Sequence, residues 1–197
     1  MVQNPKRKEP IPESDMKNQY PRTYSYLLQF REVLLSRASK STKELAERAA
    51  FYAMFGIGEY TMSRYKVDWQ FMSNDIFASV LSQAKTKYGY KQIMPIKTVA
   101  MFCVDNEDEA HYLCAIVNSV PARSLIKTYS SAGRGFGTPS VMKYLGIPKY
   151  DSNNNLHTEL ADLSKRLHEL KASGNEEEIP NYEKKVNETV NRLFNIE

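Results

Sequence analysis

Only two cysteines, Cys103 and Cys114, occur in 197 residues, and no second pair stands at metal spacing, so neither a zinc site nor a disulfide framework is available. Both are expected to be reduced and buried. Histidine is nearly as scarce. His111 and His168 fall within helix-forming stretches and His157 at a helix start, and no two share a metal-ligand spacing with a carboxylate. No P-loop ends in Lys-Ser/Thr, neither Ser131 nor Ser140 stands in a G-x-S-x-G elbow, and no Asp or Asn precedes Pro-Pro and an aromatic. No catalytic or metal-ligating constellation is therefore expected. Long hydrophobic runs are missing too: the apolar stretches are too short to span a bilayer, and the opening MVQNPKRKEPIPESD has no apolar signal core. The expectation is a cytoplasmic protein without a membrane partner.

What is present is cationic, and unevenly so. Residues 1–19 carry four Lys/Arg against three acids, residues 20–150 seventeen against ten, and residues 151–197 six against ten. Within the middle piece, 76–104 holds Lys85, Lys87, Lys91 and Lys97 with no acid, and 110–150 holds Arg123, Lys127, Arg134, Lys143 and Lys149 with none either. Segments that keep cations and exclude carboxylates make a field of one sign, which suits a polyanion such as nucleic acid; a solvated basic face with no partner is the plain alternative.

Three sections follow from composition and periodicity. Residues 1–19 mix Pro, Lys, Glu, Asn and Ser, which predicts a flexible lead-in, disordered or draped on the body. Residues 20–150 read as an α+β body. YPRTYSYLLQFREVLLSR sets Tyr24, Leu27, Leu28, Leu34 and Leu35 at helical spacing and predicts one helix, and KTVAMFCV reads as a strand of a mainly buried sheet, mixed or antiparallel. Asn106 with Glu109 three residues on predicts a capped helix start, Ser119 with Pro121 a second, and Thr138 with Pro139 a third that Gly146 closes. In residues 151–197, Leu156, Leu160, Leu163, Leu167 and Leu170 form a near-heptad stripe, and ASGNEEEIP turns the chain into a second helix. An acidic, antiparallel helical hairpin is expected there.

FYAMFGIGEYTMSRYKVDW raises the one cofactor question. A dinucleotide or S-adenosylmethionine loop needs a strand before it, a glycine turn and an acid after the next strand. Here AERAAFYAM looks helical, the third glycine is missing and Asp75 follows no clear second strand, so Gly56 and Gly58 are expected in a hairpin or bulge.

Read in order, YPRTYSYLLQFREVLLSR, FYAMFGIGEYTMSRYKVDW, PIKTVAMFCVDNEDEAHYLCAIVNS, GTPSVMKYLGIPKY and the closing VNRLFNIE resemble the TaqI-like C-terminal specificity region of adenine-specific DNA methyltransferases in restriction-modification systems. The likeness runs from Tyr20 to Glu197 and rests on the order and spacing of the stretches. It implies a target-recognition domain for double-stranded DNA, working with a methyltransferase catalytic domain in cis or in trans. That catalytic half would bind the S-adenosylmethionine and is absent here, so the chain is expected to be a fragment or a separately encoded recognition piece, with no cofactor of its own.

Arg64 and Lys66 beside the glycine turn, Lys97 and Thr98 at the strand start, Arg123 and Lys127 in the second acid-free run, and Arg134 with Phe136 in the glycine loop are the candidates for the DNA face. Base and phosphate contacts are not separable at this level. The alternative function is a protein-interaction module whose docking element is the leucine-rich hairpin. A nuclease would need clustered acids with a lysine on a strand, against which the acid-free runs argue.

Overall fold

The computed structural model describes residues 2–4, 6, 8–70, 72–95, 98–130 and 137–196, and the chain forms two compact units, Met1–Met62 and Ser63–Glu197. The first unit opens with two short antiparallel strands, β1 (Gln3–Asn4) and β2 (Glu9–Pro10), followed by helices α1 (Glu13–Gln19), α2 (Pro21–Leu28), α3 (Arg31–Leu35) and α4 (Lys40–Arg48). Where a flexible lead-in is expected, the strand pair and α1 stand instead. The cause is Met16, 1% exposed, which packs in a cluster with Phe51 and Tyr52 that Val2 and Ile11 also join. Isolated apolar residues in a polar stretch leave no periodicity to read.

The single helix expected from Pro21 is broken. The Phe30 N–H donates to the Leu27 carbonyl at 3.0 Å, and Phe30 sits at φ −106°, ψ 12°, between α2 and α3. The break allows Tyr24 and Leu27 on one side, and Leu34 and Leu35 on the other, to reach the same cluster. The glycine stretch is corrected as well: it forms neither a hairpin nor a bulge but a turn into a 3₁₀ turn, Glu59–Met62. Gly56 adopts φ +78°, the left-handed region that favours glycine, and the Tyr60 hydroxyl donates to its carbonyl.

In the second unit, β3 (Tyr65–Gln70) lies between β4 (Ser79–Leu81) and β7 (Val99–Val104), antiparallel to both. Between β4 and β7 the chain makes a separate two-stranded ribbon, β5 (Gln83–Thr86) and β6 (Gly89–Gln92). Helices α5 (Glu107–Asn118), α6 (Val120–Tyr129), α7 (Pro139–Met142), α8 (Asn155–Ser173) and α9 (Ile179–Phe194) complete it. The fold class is α+β with an antiparallel sheet, flanking helices and a C-terminal helical hairpin.

Local chemistry sets the helix starts. The Asn106 carboxamide accepts the Glu109 N–H at 3.1 Å, and the Ser119 hydroxyl accepts the Ala122 N–H at 3.3 Å. Trp69, Tyr112, Ile116, Ile126, Leu160, Val186 and Val190 then share one core, so the hairpin packs into the same interior as sheet and helices. The edge strand β4 is blunted by side chains: Asn118 Oδ1 accepts the Ala78 N–H just before it, and His168 Nε2 accepts the Val80 N–H within it. Of the two free thiols, Cys114 is buried as expected, whereas Cys103 is only half-buried. Among the described residues no helix is long and apolar enough to cross a membrane.

Candidate nucleic-acid interface

The strand registers sort the second unit's cations between two ends of the sheet. Tyr65 pairs with Val104 and Lys66 with Leu81, so the start of β3, the end of β7 and the exit of β4 lie together. Gln70 pairs with Val99, which places Thr98 at the opposite end. Five residue steps of a strand are about 17 Å, less than one turn of a duplex at about 34 Å. One DNA segment could therefore meet both ends.

Arg64 stands exposed at the first end. Its N–H donates to Asp105 Oδ1 at 2.8 Å, which fixes the backbone, while its guanidinium lies over the Tyr65 ring at 5.3 Å and meets no described carboxylate. Lys66, next in line, cannot serve a phosphate in this arrangement. It is 1% exposed and its Nζ donates to the Ser63 carbonyl at 2.9 Å. Burial pulls its pKa below the ordinary lysine value, with Cys103 and Asp105 opposing. This corrects the expectation that Lys66 faces solvent: its side chain is buried, although Asp68 and Gln70 further along the same face of β3 are half-buried and exposed.

At the second end the structure brings Arg123 and Lys127 together on one carboxylate, Asp75, which was weighed from the sequence only as a cofactor acid. Arg123 Nε donates to Asp75 Oδ1 at 2.9 Å, its second nitrogen to Oδ2, and Lys127 Nζ lies 3.5 Å from the same Oδ2. The Arg123 hydrogen bonds hold the Asp75 carboxyl down at about 2. Arg123 also lies over the exposed Phe77 ring at 5.0 Å. Thr98 is exposed at this end, and the Trp69 indole N–H donates to the Gly137 carbonyl at 2.7 Å. Lys97, Arg134 and Phe136 lie outside the described residues.

A contrast in how the cations are partnered is visible only in the fold. On the hairpin, Lys165 faces Asp108 and Asp162, Arg166 faces Glu169 and Glu178, Lys171 faces Glu176, Lys184 faces Glu188, and Arg192 faces Glu159. Lys85, Lys87 and Lys91 on the β5–β6 ribbon are exposed and meet no described carboxylate; Lys87 lies over the Tyr88 ring at 5.0 Å. The sequence signal is the acid-free run itself, which shows charge without showing that it projects.

The histidines have structural partners. His111 Nδ1 lies 3.1 Å from the Ser164 hydroxyl, and His157 Nδ1 accepts the Asp151 N–H. His168 Nδ1 lies 2.8 Å from the Ser164 carbonyl, so that nitrogen donates and Nε2 is left to accept from Val80. Among the described residues no group of three or more His, Cys, Asp or Glu side chains is placed to hold a metal. Compared with known proteins, the chain matches no protein-family model and no curated protein.

Proposed function

We propose that this chain is the DNA target-recognition domain of an adenine-specific DNA methyltransferase of a restriction-modification system, acting beside a catalytic domain in cis or in trans that carries the S-adenosylmethionine. The observation that carries this reading is the cationic surface of the acid-free run. Lys85, Lys87 and Lys91 in that run, and Arg64 outside it, have no carboxylate partner among the described residues, whereas every hairpin cation except Lys185, which lies over the Tyr182 ring, faces a carboxylate. Exposed cations kept clear of acids favour an external polyanion, and counterion release then supplies affinity. The order and spacing of the five stretches that resemble the methyltransferase specificity region narrow that polyanion to duplex DNA with an adenine target.

The interaction-module reading loses its docking element, because the leucine stripe of α8 is turned inward: Leu160 and Leu170 are buried, and Leu163 and Leu167 pack against the core. Selection from a pool of random-sequence duplexes tests the proposal. The expected result is enrichment of one short motif containing an adenine. Recovery of no motif under conditions where the chain retains duplex would argue for a general polyanion binder instead.

A further inference from the structure

Gln83–Gln92 is a ten-residue excursion that contributes to none of the unit's hydrophobic clusters, and every residue in it is exposed except Gln92. A two-stranded ribbon without a packed face is marginal in water. This one nevertheless presents Tyr88 and Tyr90 at 75% and 67% exposure. Its shape is held from within: the Thr86 hydroxyl donates to the Gly89 carbonyl at 2.7 Å and accepts the Tyr88 N–H at 3.2 Å, and Gly89 adopts φ +91°. Its base is pinned to the start of β3, where Gln92 Nε2 donates to the Ser63 carbonyl at 2.7 Å. A preformed, projecting ribbon can bind without first ordering itself.

The register divides the ribbon into two faces. Gln83 opposite Gln92 and Lys85 opposite Tyr90 share one; Ala84 opposite Lys91 and Thr86 opposite Gly89 share the other. Apart from Lys91 the second face is thin, carrying Ala, Thr and Gly, while the first carries a cation, a phenol and amides that can all hydrogen-bond. Paired strands lie about 4.8 Å apart, and the DNA major groove, about 12 Å wide, admits a two-stranded ribbon. Resting on the DNA-binding reading above, we infer that the β5–β6 ribbon enters the major groove of duplex DNA, with Gln83, Lys85 and Tyr90 toward the base edges and Lys87 and Lys91 on the flanking phosphates. The complementarity is electrostatic as well as geometric, because residues 76–104 contain no acid to repel the backbone.

The test begins with the unmodified chain, acetylated with and without a random-sequence duplex and read by mass spectrometry. Lys85, Lys87 and Lys91 should be protected, while Lys184 and Lys185 on the hairpin should react as before. A triple variant, Lys85→Ala with Lys87→Ala and Lys91→Ala, should bind at least about tenfold more weakly, with its salt slope reduced by roughly one for each phosphate no longer neutralised. Tyr90→Ala should relax the selected motif. Methyl green, which occupies the major groove, should compete with the chain, and netropsin, which occupies the minor groove, should not. Duplex binding with the three lysines unprotected and the triple variant unimpaired would overturn the ribbon assignment and leave the DNA reading standing. Competition by netropsin alone would overturn the choice of groove. Failure of the unmodified chain to bind any duplex at low salt would instead overturn the DNA reading on which the inference rests.

Discussion

The guanidinium of Arg123 and the carboxylate of Asp75 meet through two N–H···O hydrogen bonds across 48 residues of sequence, and Lys127 shares the same oxygen. Two cations expected on the DNA face are thus held by an internal anion. Asp75→Asn releases both. The variant should bind duplex several-fold more tightly at low salt, with a steeper salt dependence, as anisotropy would report. Unchanged affinity would place Arg123 and Lys127 off the duplex. The acid limb of stability should change too. A carboxyl held at about 2 stabilises the fold above its unfolded value near 4 and loses that contribution as pH falls toward 2, a loss the asparagine variant should not show.

Arg64 and Lys66 are neighbours with opposite expectations. Lys66 is sealed, so Lys66→Met should leave DNA affinity within about twofold, and the fold should tolerate it because an apolar chain of similar length replaces a buried ammonium. Arg64→Ala should weaken binding about threefold or more and lower the salt slope by about one. The paired titration checks both, and equal losses for the two variants would contradict the placement of Lys66.

Asn118 holds the entry to β4 by two points: Oδ1 accepts the Ala78 N–H and Nδ2 donates to the Ala78 carbonyl, each at 2.8 Å. Truncation strands the Ala78 N–H and leaves its carbonyl only the Cys114 thiol at 3.4 Å. Asn118→Ala should cost about 2–4 kcal/mol in urea denaturation, with Asn118→Asp intermediate because it keeps the acceptor.

His111 gives a pH signature. Burial first, then the neighbouring His168 and Lys165, hold it at about 4, with Asp108 opposing. Its folded value lies below the unfolded 6.5, so the unfolded chain takes up a proton that the folded chain refuses as pH falls from about 6.5 to about 4, and stability falls with it. Urea midpoints across that range should slope down for the parent chain and less steeply for His111→Gln.

How much of this was legible in the sequence depends on the range of the cause. The caps at Asn106 and Ser119, the left-handed Gly146 and the hairpin stripe were readable because each is fixed by residues a few positions apart. The break at Phe30 was not, since it serves a cluster completed by Met16 and Phe51. Lys66 alternates with Tyr65 and Val67 as a solvent-facing residue should, and only the fold shows that its side chain is buried and bonded back to the Ser63 carbonyl. The Asp75 clasp joins residues 48 positions apart and leaves no local mark. The ribbon was visible as charge, but its projection depends on β4 leaving the sheet after Leu81, beside the start of β3.

One salt titration bears most directly on DNA binding by this chain. Labelled duplex should bind the chain at low salt, and log affinity should fall linearly with log salt at a slope of about −0.9 for each phosphate neutralised, corresponding to roughly three to five phosphates. Binding that is absent at low salt, or that stays level as salt rises, would contradict it.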